Sequence, residues 1–278
     1  MAAQRKVVIA GARGVFGSLL ASELQRDYEV VATTRETLDL RETQSVANAA
    51  RGAYAFVCAA GPFQQLPRAI VRAVVEEGAH WLDISDDERW FFDLVDDCAL
   101  DALARERNVV VMPGLSTLPA LSGALVRRLG APSHVELTLF IGNGNRKGAA
   151  AIASGAEFRT PDRELLRREL GIDAVARTRF EAPFAAPLLR AFARLPLGAR
   201  MRVARAASVV ARPFRIGTRG GWVEARAGSR SARISGRDQR LAILPVVFAL
   251  ERLDGLRGCL APSVFDAEAL LSWVEARA

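Results

Sequence analysis

Lysine is nearly missing from this chain. Lys6 and Lys147 are the only two among 278 residues, so the positive charge is almost all arginine. Cysteine is also scarce: Cys58, Cys98 and Cys259 lie far apart with no CxxC pair, too few for a disulfide framework or a zinc site. The two histidines, His80 and His134, are isolated as well, so no metal centre is expected. No apolar run approaches the roughly 20 residues of a membrane span. Met1 leads directly into the first apolar segment, which leaves no room for a signal peptide. These absences point to a soluble protein of a reducing, cytoplasmic compartment.

What is present is ordinary in amount and uneven in placement. Half the residues are apolar and 25% are charged, enough for a real core. The net charge is +7, but residues 182–223 hold eight arginines and no Asp or Glu, which leaves the remainder at about −1. The positive field is therefore local, and nucleic acid is not an expected partner. Within that segment Val203, Ala207 and Val210 fall on one helical stripe, with Arg202, Arg205 and Arg212 roughly opposite. Two readings stand side by side: a solvated surface excursion, or a basic amphipathic element making peripheral contact with an anionic membrane or an acyl substrate.

The first 130 residues alternate strand and helix. Strands are predicted at Lys6–Ala10, Glu29–Thr34, Ala53–Ala59, Ala79–Ile84 and Asn108–Met112. Helices are predicted over 14–26, 43–51, 66–77, 87–106 and 118–129. This alternation implies an α/β fold, a doubly wound parallel sheet with its site at the carboxyl ends of the strands. The pattern changes at Pro132. A strand at His134–Ile141, helices at 149–158 and 162–170, a hairpin around Gly228-Ser229, and helices at 240–253 and 266–275 follow. Domains are expected at 1–132 and 133–278, the second a smaller α+β unit with a mixed sheet. Its last helix is placed to pack back on the first domain, and its sheet offers a surface for a homodimer.

The chemistry concentrates at the ends of these strands. Gly11-Ala12-Arg13-Gly14-Val15-Phe16-Gly17 joins the first strand to the first helix. Gly11 permits the tight turn, Gly14 lets a pyrophosphate approach, and Gly17 lets helix pack on strand. Backbone N–H groups at the helix start favour the phosphate. Thr34 and Arg35 close the second strand, with Arg35 standing where an NAD enzyme carries Asp or Glu. A guanidinium there suits the 2′-phosphate of NADP, with Arg13 as a second contact; a solvated surface arginine is the alternative. Asp39 lies near the adenine or serves as a loop turn or helix cap. Ala59-Ala60-Gly61-Pro62 forms a rigid turn beside the nicotinamide half. Asp83, Ser85 and Asp86 leave the fourth strand, where they either move protons or cap the next helix. His80, at the strand entry, reads as structural. The two tyrosines, Tyr28 and Tyr54, belong to no Tyr-xxx-Lys pair, and neither a Gly-x-Ser-x-Gly elbow nor a Walker loop occurs.

Taken together, the three glycines, Cys58-Ala-Ala-Gly-Pro-Phe63, Glu77-Gly-Ala-His-Trp-Leu-Asp83 and Met112-Pro-Gly114 with Leu118-Pro119 resemble the saccharopine dehydrogenase-like oxidoreductases. The resemblance covers about the first 120 residues; Leu260–Asp266 adds a weaker match. It implies an NADP- or NAD-binding domain followed by an α/β substrate domain, and it does not deliver a substrate. The leading expectation is hydride transfer to or from an unidentified small carbonyl, imine or enoyl substrate. NADP is expected ahead of NAD. Two alternatives remain open: an NADP-binding sensor or partner subunit without turnover, and a membrane-surface reductase acting on lipids.

Overall fold

A computed structural model describes residues 4–142, 144–145, 160–181, 196, 199, 202–203 and 217–278. The chain divides into two compact units. One comprises residues 1–120 and 242–266, the other 121–241 and 267–278. This differs from the single cut at 132. The chain returns to the first unit after building most of the second, and the C-terminal helix belongs to the second unit.

The first unit holds a six-stranded parallel sheet. Its strands are β1 (Lys6–Ala10), β2 (Glu29–Thr33), β3 (Ala55–Cys58), β4 (His80–Asp83), β5 (Val110–Met112) and β10 (Gly258–Cys259), in spatial order β2-β1-β3-β4-β5-β10. Helices α1 (Val15–Leu24), α2 (Thr43–Ala50), α3 (Ala69–Glu76), α4 (Glu88–Val95) and α5 (Cys98–Glu106) connect them. Val7, Val8, Ile9, Phe56, Val57, Trp81 and Leu82 are wholly buried, because a parallel sheet is covered on both faces. β2 is the edge, and its Val31 is exposed. The register pairs Ala10 with Thr33 and Cys58, Cys58 with Asp83, and Leu82 with Met112. The turns that leave the strands therefore emerge along one carboxyl edge. The order reverses between β1 and β3, which makes that point the crevice of the sheet.

Three helices differ most from their predicted extents. The helix over 87–106 is two, because Asp97 accepts from the amides of Ala99 (3.1 Å) and Leu100 (2.9 Å) and starts α5 anew. The helix over 118–129 begins at Ser122, since Leu118, preceding Pro119, is extended (φ −121°, ψ 128°). The helix over 240–253 contracts to α8 (Leu244–Leu250) behind a short 3₁₀ turn.

The second unit is built on a mixed sheet of β6 (His134–Ile141), β7 (Asp173–Phe180), β8 (Gly220–Ala227) and β9 (Arg230–Arg237), ordered β7-β6-β8-β9. β6 and β7 are parallel; the other pairs are antiparallel. β8 and β9 are the expected hairpin. Val135, Leu137, Val223, Ala225 and Ile234 form its buried face. α6 (Ser122–Arg128) packs on β8 and β9, and α9 (Ala267–Glu275) on α6 and β9. Arg128 fastens the two helices through Glu268 (2.9 Å) and Glu275 (2.6 Å). α7 (Asp162–Leu170) lies on β7. β7 and the two-residue β10 were not expected. The helix predicted at 149–158 and almost all of the arginine-rich segment lie outside the described residues. Among the described residues no helix is long and apolar enough to cross a membrane.

Candidate functional site

The glycine turn begins where β1 ends. Gly11 has φ +83°, and a Cβ there would stand 2.9 Å from the Ala60 Cβ, so the turns after β1 and β3 touch. A Cβ on Gly17 would lie 2.7 Å from the Gly11 carbonyl carbon; this glycine is required by helix-on-turn packing. Gly14 is different. Its φ of −68° and ψ of 170° suit any residue, and its Cβ would meet only the Gly11 oxygen, at 3.0 Å. The glycine keeps clear a space in front of α1 that the protein itself does not fill.

α1 is arranged to receive an anion in that space. Its first α-helical bond is Ser18 N–H to Gly14 O (3.0 Å), so the amides of Val15, Phe16 and Gly17 precede the ladder. Its first turn carries no acidic residue. The Ala12 amide, by contrast, is engaged, donating to Thr33 O at 2.9 Å and tying the turn to β2. A pyrophosphate fits this cradle of amides and a cleared glycine.

The loop after β2 carries the adenosine-end candidates. Arg35 is exposed at its start. Next to it stands Glu36, which the sequence reading passed over. Its Oε1 pairs with Arg13 Nη1 at 2.9 Å and its Oε2 accepts from the Thr34 hydroxyl at 2.5 Å. The Thr34 bond, helped by a backbone amide and Arg13, holds the Glu36 carboxyl below the usual range. Arg13 is thus already partnered in the free protein. Asp39 accepts from the Arg41 backbone amide (3.0 Å) and pairs with the Arg41 guanidinium, which pushes its carboxyl far down. It is a loop turn and not a helix cap, since the cap position of α2 is Glu42.

The turn after β3 is anchored by Ala59 N–H to Ala10 O (3.0 Å) and has a cis Gly61–Pro62 peptide. At the end of β4 the proton-transfer expectation for Asp83 requires correction. This carboxylate is wholly buried and has four donors: Trp81 Nε1 and Trp90 Nε1 at 2.9 Å on Oδ2, and the amides of Ser85 (2.9 Å) and Gly114 (3.1 Å) on Oδ1. Burial lifts its pKa against the pull of those donors. It joins β4, α4 and the Met112-Pro113-Gly114 turn and has no free face toward a substrate. Ser85 is wholly buried, and its Oγ accepts from the Asp87 amide at 3.1 Å. The α4 cap is Asp87, which accepts from Trp90 N–H at 2.7 Å, rather than Ser85 or Asp86. Asp86 is half-buried and alone of the three retains access to solvent. His80 is structural as expected: its Nδ1 accepts the Val110 amide at 2.9 Å, and burial pushes its pKa down to about 4.

No family model and no curated protein matches this chain. Among solved structures, saccharopine dehydrogenase (L-Glu forming) from Saccharomyces cerevisiae aligns over 96% of both chains with a TM-score of 0.57 at 9% identity. The chain has a saccharopine dehydrogenase-like fold. The NADPH-dependent quinone oxidoreductase of Escherichia coli, complexed with NADPH, aligns over 73% of this chain and 88% of its own at TM-score 0.32 and 16% identity. A dTDP-4-dehydrorhamnose reductase from Bacillus anthracis, in complex with NADP, aligns over 74% and 99% at TM-score 0.30 and 13% identity.

Proposed function

We propose that this protein is an NAD(P)-dependent oxidoreductase that favours NADP and acts on a small carbonyl, imine or enoyl substrate. The observation that carries the reading is Gly14, a glycine not demanded by its backbone angles, whose Cβ would meet a single atom, the Gly11 oxygen, placed before a helix start with no acidic residue. The amides of Val15, Phe16 and Gly17 hold the pyrophosphate. Arg35 meets the 2′-phosphate through a charge-assisted contact, with Arg13 beside it. The Ala59–Pro62 turn lies beside the nicotinamide half at the crevice of the sheet. When bound, the cofactor supplies or accepts the hydride. Asp86, half-buried at this edge, is the candidate for exchanging a proton with solvent.

The commitment of Asp83 and Ser85 to the fold favours a second reading, a dinucleotide-binding sensor without turnover. Fluorescence titration with NADPH and NADH, followed by turnover on a panel of carbonyls and imines, separates the two. Binding with turnover is expected, NADPH being the tighter. Arg35→Ala should weaken NADPH by about 10- to 100-fold, the worth of one charge-assisted bond, and leave NADH nearly unchanged. Binding without turnover assigns the sensor role; binding of neither dinucleotide overturns both.

A further inference from the structure

We infer that the second unit binds an apolar carbonyl compound, with the carboxylic acid of Asp162 donating a hydrogen bond to the ligand's oxygen. The inference rests on the oxidoreductase reading above and deepens it. It narrows the substrate class and assigns a binding group outside the dinucleotide crevice.

α6 and α7 each run down to the start of a strand, α6 into β6 and α7 into β7. With 7 and 9 residues they rise about 10 and 13 Å, whereas the 8 residues of β6 extend about 26 Å. The helices therefore cover only the part of the sheet face nearest the strand starts. Their first residues, Ser122 and Asp162, stand where that cover ends. Under the helices Val135, Leu137 and Ala174 are buried. Farther along the same face Leu139, Thr178, Ile141 and Gly221 are only half-buried. The register sets Leu139 beside Thr178 and Ile141 beside Gly221, so a largely apolar floor adjoins the helix starts.

Asp162 is 1% exposed, and Ser122, wholly buried, donates its hydroxyl to Oδ1. Only two buried side-chain atoms among the described residues lack a hydrogen-bond partner, and Asp162 Oδ2 is one of them. No cation among the described residues offsets its charge. Burial without a counter-charge disfavours the carboxylate and raises the pKa, against the pull of the Ser122 and Thr160 hydroxyls. Because Oδ1 accepts from Ser122, the neutral acid carries its proton on Oδ2. A buried O–H without an acceptor is an unmet demand that a ligand's lone pair satisfies. The floor selects an apolar body, and the acid selects an uncharged oxygen acceptor, a carbonyl. An ammonium ligand would call for an ionised Asp162 instead.

The test uses ligand-observed NMR on the full chain, with and without NADPH. The probes are cyclohexanone, methylenecyclohexane and cyclohexylammonium. Wild type should bind cyclohexanone about tenfold more tightly than methylenecyclohexane, the worth of one neutral hydrogen bond, and cyclohexylammonium least. Asp162→Leu should erase the preference for the ketone. Asp162→Asn puts an N–H donor where the acid O–H stands and should keep it, which decides the matter if the leucine variant fails to fold. Ile141→Trp should fill the floor and weaken all three probes together. The assignment is overturned by preference for cyclohexylammonium or by equal binding of ketone and hydrocarbon. A ketone preference that survives in folded Asp162→Leu, or disappears in Asp162→Asn, overturns it as well. NADPH binding, read by fluorescence on the same samples, keeps the dinucleotide reading separate. Failure of wild type to bind NADPH overturns the oxidoreductase reading, and the substrate assignment with it.

Discussion

Gly14 and Gly17 sit three residues apart in one turn, yet a side chain at each meets different surroundings. At Gly17 a Cβ enters the backbone of Gly11 and Ala12, so Gly17→Val should lower the folded fraction itself. At Gly14 the backbone angles suit any residue, and a Cβ would press on one atom, the Gly11 oxygen at 3.0 Å, which a small local shift relieves. Gly14→Val should leave a native circular dichroism spectrum and abolish NADPH binding, because its side chain occupies the place of the pyrophosphate. Normal NADPH affinity in folded Gly14→Val would place the phosphate elsewhere. Asp83 shows the opposite economy, a polar group used wholly for structure. Asp83→Asn turns a four-fold acceptor into a group that must aim its own N–H donors at other donors. It should cost on the order of 2–4 kcal/mol, read as a lowered denaturant midpoint. The folded fraction should still bind NADPH. The glycines and arginines were legible because their spacing is itself the signal. Glu36 lies one position beyond Arg35, but its pairing with Arg13 joins two separate turns and has no local signal. The four donors of Asp83 come from Trp81, Ser85, Trp90 and Gly114, and no local pattern ties the last two to it.

At the scale of elements, periodicity found what periodicity controls. The buried parallel strands read clearly because both faces are apolar. β7 did not, because its sequence, DAVARTRF, turns alanines and a threonine inward and leaves Val175 and the arginines exposed. α4 and α5 read as one helix because the apolar spacing continues through Asp96 and Asp97, where the Asp97 cap takes over the amides. One strand junction carries a pH signature. His80 Nδ1 accepts from Val110 N–H, so the start of β4 holds β5 through a neutral imidazole, and protonation there removes the acceptor. Unfolded His80 takes up a proton near 6.5; the folded form resists until about 4. The unfolded state therefore binds more protons across that window, and stability falls as pH drops from 6.5 to 4. The effect should approach about 3 kcal/mol. Burial raises the pKa of Asp83 and Asp162, which acts in the other direction, favouring the folded state at low pH. The clean readout is thus the difference between wild type and His80→Asn in urea unfolding at each pH. A difference that stays flat between pH 6.5 and 4 would refute this role.

For the molecule as a whole, charge is the property that the fold least explains. Of the eight arginines in 182–223, Arg219 is paired with Asp238, so at most seven remain for any anionic surface. Each arginine near such a surface contributes about 1 kcal/mol, which predicts adsorption to anionic vesicles at low salt and none to neutral ones. Co-sedimentation decides it; no adsorption at low salt leaves the solvated reading.

The chain's return to its first unit has a consequence for synthesis. β5 is paired on one side by β4 and on the other by β10, whose Gly258 and Cys259 match Val110 and Val111. A ribosome that has made β5 must still translate all of 121–241 before that partner exists, a delay of about 10 s at ordinary elongation rates. Throughout that interval the first unit presents a buried-type, apolar strand with one open edge, the form of exposure that invites pairing with another chain. A protein cut after residue 132 would be held in that condition permanently and should aggregate. The intact chain would instead depend on rapid elongation, or on a chaperone, to reach its last forty residues in time.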